Sequence, residues 1–252
     1  MRNMELVLFD VNGKSWELNN PRSPVRIVRG GRPDLYARSV ATMWAGEVTR
    51  GRSKVVGYTD TLRVGFYPTR SHDLNKVRRE FRAGWANDQY CELRARHTPD
   101  GTWATARLRL PDDQGLPPRD VLTPQVFDTL DVPVAWDDGY WRVPMRGKGA
   151  TVEVFNPGVT RVKVWAVWKT GGTLTLPSGA RLSLPTVAET RRVLLDRRKG
   201  FPVTALDGTP DRVLQKRLWG QMVEERVMPN TTGVFKPTPG GWLEWELGVP
   251  EP

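Results

Sequence analysis

From Thr151 to Ser178 apolar and polar residues alternate with a period of two. Val152 and Val154, then Val162, Val164 and Ala166, fall on one side, and Glu153, Arg161, Lys163 and Trp165 fall on the other. Alternation of this kind, rich in β-branched residues, predicts half-buried antiparallel strands. Two breaks interrupt it, and both read as turns. Asn156-Pro157-Gly158 joins a proline that presets φ to a glycine that tolerates positive φ, and Gly171-Gly172 supplies the second break.

The first half repeats the theme. Leu6–Phe9 and Ser15–Leu18 flank Asn12-Gly13, a strong short-range hairpin signal. A turn-rich span with Pro21, Pro24, Gly30, Gly31 and Pro33 follows, then strand candidates at Val40–Val48 and Lys54–Tyr58. Thr61–Tyr67 places Leu62, Val64 and Phe66 on one face. At residues 72–86 the period changes. Leu74, Val77, Phe81 and Trp85 form one stripe of a helix, with Ser71 as N-cap, Asp73 at the positive end, and Lys76, Arg78, Arg79 and Arg82 on the other face. This stripe predicts an amphipathic helix laid over a sheet. Glu92–Arg96 and Trp103–Leu110 predict a hairpin around Pro99-Asp100-Gly101, and Val132–Trp136 with Tyr140–Val143 another around Asp138-Gly139.

A glycine-rich segment near residues 145–150 marks the expected boundary between domains 1–147 and 148–252. Beyond the alternating stretch lie strand candidates at Ala180–Leu184 and Arg192–Asp196. Thr209-Pro210 reads as N-cap and first residue of a helix carrying Val213, Leu214, Leu218, Met222 and Val223. Gly241–Leu247 closes the chain as a strand, with Trp242 and Leu243 beginning opposite faces. Many short strands at even spacing predict an all-β sandwich or barrel plan with two minor helices.

Composition narrows the classes. The 252 residues suffice for one large or two ordinary domains. No apolar run approaches the length of a membrane span, and Asp10 cuts short the only apolar run near the N-terminus, so no span and no signal peptide are expected. A single cysteine, Cys91, excludes an intrachain disulfide framework and suits a buried role. The net charge of +10 invites a nucleic-acid reading, but the excess is spread over both halves. Lys76–Arg79 and Arg197–Lys199 are the tightest basic clusters, and short clusters of this kind read as solvated faces. The chain has 29 arginines against 9 lysines, a bias that suits bidentate pairing at protein interfaces.

Reactive chemistry is hard to assemble from these residues. His72, His97 and Cys91 lack the spacing of a zinc shell, and no nucleophile elbow, phosphate loop or dinucleotide motif follows a strand. Asp112-Asp113 and Asp137-Asp138 read as loop and turn, and Glu224-Glu225 is the third adjacent pair. Sequence neighbours on a strand point to opposite faces, so these carboxylates do not oppose one another across a cleft. The expectation is no catalytic residue, no cofactor and no metal. Eleven tryptophans allow a sugar-stacking platform or core and interface packing, and Trp165 is the exposed candidate.

The second half resembles the second domain of siphophage distal tail proteins. The resemblance rests on Val152–Phe155 running into Asn156-Pro157-Gly158, then Arg161–Trp168, Gly171–Leu176, Val193–Asp196, Ala205–Gly208 and the strand after Pro239-Gly240-Gly241. Upstream, Val132–Trp141 is similar to the segment that ends the family's first domain, with Gly139 where the family has proline; Val159 stands where the family often has aspartate.

The resemblance implies a structural virion protein at the distal end of a non-contractile tail, made in the bacterial host cytoplasm and not an enzyme. Its first domain would be a β-barrel-like belt that closes a ring, commonly a homo-hexamer, and its second a galectin-like β-sandwich. Tail tube protein, tape measure protein and the tail hub or baseplate protein are the implied partners. The residues themselves offer Arg78, Arg79, Arg82 and Trp165 as contacts with other subunits or partners, and Asn12, Gly13, Asn156, Pro157 and Gly158 as structural turns. Two other readings stand beside this one: a carbohydrate-binding module that contacts cell-wall glycan, and a basic nucleic-acid-binding protein.

Overall fold

The computed structural model describes residues 4–33, 35, 38–40, 54–67, 73–97, 101–117 and 128–252. Among the described residues strands dominate and two α-helices interrupt them. The chain divides into two compact units, Met1–Trp141 with Pro250–Pro252, and Arg142–Val249. The division falls ahead of the glycine-rich segment, whose residues 145–148 lie within a strand.

Unit 1 contains β1 (Glu5–Phe9), β2 (Ser15–Glu17), β3 (Val25–Ile27), β4 (Arg38–Val40), β5 (Lys54–Val56), β6 (Tyr58–Phe66), α1 (Leu74–Ala83), β7 (Cys91–Arg96), β8 (Ala104–Leu108) and β9 (Asp128–Trp136). One antiparallel sheet runs β8-β7-β1-β2 and a second runs β3-β6-β9, while β4 pairs with β5. The two larger sheets are laced together at both lateral edges. Ile27 N–H donates to Leu18 O at 2.8 Å, and Arg109 and Ala135 exchange backbone hydrogen bonds at 3.1 and 2.8 Å. Leu62, Val64 and Phe66 are buried on one face of β6, as their alternation predicts. The candidate strand Val40–Val48 lies outside the described residues beyond Val40.

The turn at Asn12-Gly13 does more than reverse the chain. Gly13 alone of the pair takes positive φ, at 79°, and the hairpin closes through a loop in which Asp10 N–H donates to Lys14 O. Asp10 organises it, accepting from the N–H groups of Asn12 and Lys14, both at 2.9 Å, and from Trp16 Nε1 at 3.0 Å. Asn12 Nδ2 then donates to Ala83 O at 3.1 Å, satisfying a carbonyl at the end of α1 that the helix cannot bond itself. At the other end the N-cap is Asp73, which accepts from Asn75 N–H at 2.9 Å. Ser71 and His72 lie outside the described residues. Phe81 anchors the helix, its ring meeting those of Trp16, Phe66 and Trp85 edge-on at 5.4–6.1 Å.

Unit 2 contains most of β10 (Trp141–Lys148), then β11 (Val152–Asn156), β12 (Val162–Trp168), β13 (Gly172–Thr175), β14 (Arg181–Leu184), β15 (Arg191–Leu194), β16 (Val203–Ala205), α2 (Arg212–Leu218), β17 (Arg226–Val227), β18 (Thr231–Phe235) and β19 (Trp242–Val249). One layer runs β16-β15-β12-β19-β10, with β17 on β12. The other holds β11-β18 and β13-β14, joined through a bridge between Thr175 and Lys236. Val152, Val154, Val162, Val164, Trp168, Leu174, Leu182, Phe235, Leu243 and Trp245 contribute to one core between the layers, so unit 2 is a β-sandwich.

Two hairpins expected from the sequence open into separate sheets. β11 pairs with β18, not with β12, and β9 pairs with β6 while β10 pairs with β19. Alternation assigned β11 and β12 their buried valine faces correctly, but not their neighbours. α2 also starts later than expected: its N-cap is Asp211, which accepts from Leu214 N–H at 3.0 Å, while Pro210 bridges to Thr204. Leu214 and Leu218 are buried, but Val213 is 82% exposed.

The crossing from β11 to β12 is held by Asn156, fully buried. Its Nδ2 donates to Thr160 O at 2.8 Å and Val227 O at 3.0 Å, and its Oδ1 accepts from Gly158 N–H at 3.0 Å. Gly158 has no positive φ; it is needed because a Cβ there would sit 2.4 Å from Gly248 O. Gly158→Ala should therefore lower stability by about 2 kcal/mol through forced displacement of β19, whereas Gly13→Ala, with open space around it, should cost about 1 kcal/mol through backbone strain alone. Urea unfolding followed by tryptophan fluorescence measures both, and equal losses would refute the distinction.

Candidate interaction surface

The basic side chains of α1 meet different fates. Arg78 does not lie on a solvated face. It is buried, with Nε 3.0 Å from Asp128 Oδ2 and its guanidinium 5.9 Å from the Phe66 ring centre. Arg82 Nη2 donates to Pro117 O at 2.6 Å. Lys76 and Lys14 both reach Glu80. Arg79 is exposed. Of the three arginines, Arg79 is the one whose side chain α1 presents freely, while Arg78 fixes the helix on its own sheet.

Trp165 is half-buried rather than exposed, because a cross-strand neighbour covers it: the Arg192 guanidinium lies 4.7 Å from its ring centre. Trp242, on the adjacent strand, is covered in the same manner by Arg146 at 4.2 Å and donates its Nε1 to Glu244 at 2.7 Å. Arg192 also approaches Glu244 at 3.7 Å. Cation–π stacking takes up the ring faces that a sugar would need. The freely exposed large aromatics of unit 2 are Phe155, at 55%, and Trp219, at 52%. Phe155 belongs to the outer face of β11, and Val234, also exposed, to the outer face of β18. Phe155 was legible in the sequence as a residue opposite the buried valines. Trp219 was not, because it follows a helix whose exposed side the pattern did not set.

The sandwich edges differ. Along β14 the Gln221 amide donates to Ser183 O at 2.8 Å and accepts from Ser183 N–H at 3.3 Å, which blocks that edge to another strand. β11 pairs with β18 alone.

Two carboxylates act as electrostatic hubs. In unit 1 Asp137 accepts from Arg109 Nε and from Tyr90 OH, both at 2.7 Å, and Arg109 also holds Asp112. Burial pushes the Asp137 carboxyl up, but the hydrogen bonds from Arg109 and Tyr90 outweigh it and hold it below the usual range. In unit 2 the fully buried Asp196 lies 2.6 Å from Lys163 Nζ and 3.4 Å from Arg226 Nη2, and accepts from Arg198 N–H at 3.1 Å. Here too burial pushes the carboxyl up, and the Lys163 contact prevails and lowers it.

Cys91, His97, Glu224 and Glu225 are each engaged structurally. Cys91 is buried, its Sγ 3.3 Å from Gly84 O, and burial pushes its thiol up to about 12. His97 Nε2 lies 2.6 Å from Pro252 O. Glu224 pairs with Arg226, and Glu225 accepts from Ser178 N–H at 3.2 Å. Among the described residues no group of three or more His, Cys, Asp and Glu side chains is placed to hold a metal ion, and no helix is long and apolar enough to cross a membrane.

No protein-family model matches the chain, and no curated protein sequence does. Solved structures do. The Dit protein of SPP1, described as a paradigm of the hub adsorption apparatus in phages that infect Gram-positive hosts, superposes with a TM-score of 0.52 at 12% identity, over 97% of this chain and 98% of its own. A chain of the phage p2 baseplate in its activated conformation gives 0.56 at 11% with strontium and 0.55 at 10% with calcium, each over 99% of both chains. The chain thus shares the mainly β fold of these phage proteins.

Arg78→Ala should cost about 1–2 kcal/mol, chiefly through loss of its buried stem and of its contact with Asp128, while Arg79→Ala should stay within about 0.5 kcal/mol; thermal unfolding of the two variants checks this. The Asp196 carboxyl, lower in the folded state than unfolded, stabilises unit 2 fully above about pH 4, and this stabilisation is lost as pH falls through the folded value. Asp196→Asn should therefore reduce the drop in unfolding midpoint between pH 5 and pH 3, and an unchanged drop would contradict this assignment.

Proposed function

We propose that this chain is a structural protein of the tail tip of a phage with a non-contractile tail. Its copies form a ring, a hexamer in the simplest arrangement, that joins the tail tube to the hub or baseplate and surrounds the tape measure protein. One observation carries this reading: the match to SPP1 Dit and to the p2 baseplate chain spans nearly the whole length of each chain. A shared sandwich alone would say little about function, since such folds host many activities. A resemblance that runs over nearly the whole of both chains is a narrower one.

The physical inventory agrees with a protein that works by shape. Buried aromatics and arginine–carboxylate pairs fix the strands. The exposed Arg79 and the less exposed Arg82 of α1 are the proposed subunit or tube contacts in unit 1, and Phe155 with Val234 the apolar contact in unit 2. A ring of chains that each carry +10 accumulates repulsion, so acidic partners must face it.

Native mass spectrometry of the purified chain, alone and co-expressed with its genomic neighbours, tests the reading. The expected result is an assembly at a whole multiple of 28.5 kDa, weakened by Arg79→Glu without loss of fold. A strict monomer under both conditions would overturn it.

A further inference from the structure

Two basic stretches far apart in sequence meet on unit 2. The first is Arg197–Lys199, a short 3-10 turn. The second is the exposed side of α2, where Arg212 and Lys216 stand one helical turn apart. They meet through Gly200. Its carbonyl accepts from Gln215 Nε2 at 2.7 Å, and a Cβ placed on it would lie 3.6 Å from the Trp219 ring. The chain reaches this position by taking two successive positive φ angles, 74° at Gly200 and 48° at Phe201. The second is strained for a bulky residue. The Phe201 ring then supports Trp219 edge-on at 5.8 Å.

The product is a shallow hollow lined by Arg212, Gln215, Lys216 and Trp219, with Arg197–Lys199 immediately before the glycine beneath the ring. Arg197, Arg198, Lys199, Arg212 and Lys216 are all exposed, and among the described residues no carboxylate pairs with any of them. The nearby acids are already engaged: Asp211 with Arg191, Glu224 with Arg226, and Asp196 in the core of its own cluster. Free cations around a half-exposed, rigidly supported tryptophan form a built surface, in contrast to Trp165 and Trp242, whose rings are covered by arginines.

We propose that this surface binds a phosphate-bearing sugar polymer of the kind found in bacterial cell walls. The ring stacks on a sugar face, and the arginines and lysines take the phosphates, arginine by its bidentate fork. A single-stranded nucleic acid is held by successive stacked bases, and this surface offers one ring. An acidic protein surface would need a wider apolar contact than this hollow provides. The assignment does not depend on ring assembly.

The test is calorimetric titration of the full chain with purified glycosylated poly(ribitol phosphate) wall polymer, whose glycosyl substituents present the sugar faces and whose backbone presents the phosphates. A phosphate-free glucan, a single-stranded oligonucleotide of matched charge and polyglutamate serve as separate arms. The wall polymer should bind, and binding should weaken at least tenfold for Trp219→Ala and for Lys216→Glu. The latter is a surface change that leaves the fold intact, so it decides the outcome should Trp219→Ala fail to fold. Steep salt dependence should accompany binding. No binding of the wall polymer, equal binding of polyglutamate, preference for the oligonucleotide, or binding indifferent to Lys216→Glu would each overturn the proposal.

Discussion

A chain that crosses between two layers of a sandwich must turn its backbone polar groups away from water and still satisfy them. In unit 2 that requirement concentrates on Asn156. Its amide ties the crossing to Thr160, to β17 and to Gly158, while its own carbonyl accepts from Asn230 N–H at 2.7 Å. The valines on either side can face one core only because this buried polar side chain has partners for both ends of its amide. Asp10 does the corresponding work in unit 1, where one carboxylate orders a loop, reaches a buried indole and brings Asn12 to the end of α1.

How much of this the sequence discloses depends on the range of the interaction. Face assignment is local. Val152 and Val154, Leu62 and Val64, and Trp242 against Leu243 could be read directly, and so could the hairpin of β7 and β8. Strand neighbours are not local: nothing in Val132–Trp136 says that its partner is β6, because period-two alternation is the same whichever strand lies alongside. Caps sit in between. Ser71 and Thr209 have the right chemistry, but Asp73 and Asp211 stand nearer the first helical residues and carry charge that the helix end favours.

Arg78 and Trp165 show the limit from the other side. Position 78 borders the apolar stripe of α1, so its stem can pack inward, and only the fold brings Asp128 to meet its charge. Trp165 points away from the valines as expected, yet outward on a sheet is not the same as exposed when Arg192 lies across the ring. Part of the arginine here pairs within the chain. Arg63 with Asp131, Arg109 with Asp137, and Arg226 with Asp196 and Glu224 use the cations that the formal charge counts as free. What remains unpaired is therefore informative, and part of it gathers where Arg197–Lys199 and α2 meet.

The chain leaves unit 1 after Trp141 and returns to it at Pro250. The strands that carry it out and back, β10 and β19, are hydrogen-bonded neighbours, and Arg142 reaches across to Glu246 at 3.3 Å. The sandwich is thus a cassette spliced into its host unit at two adjacent points. A recombination event at those two points exchanges the whole cassette in one piece, because both of its ends lie on neighbouring strands of the same sheet.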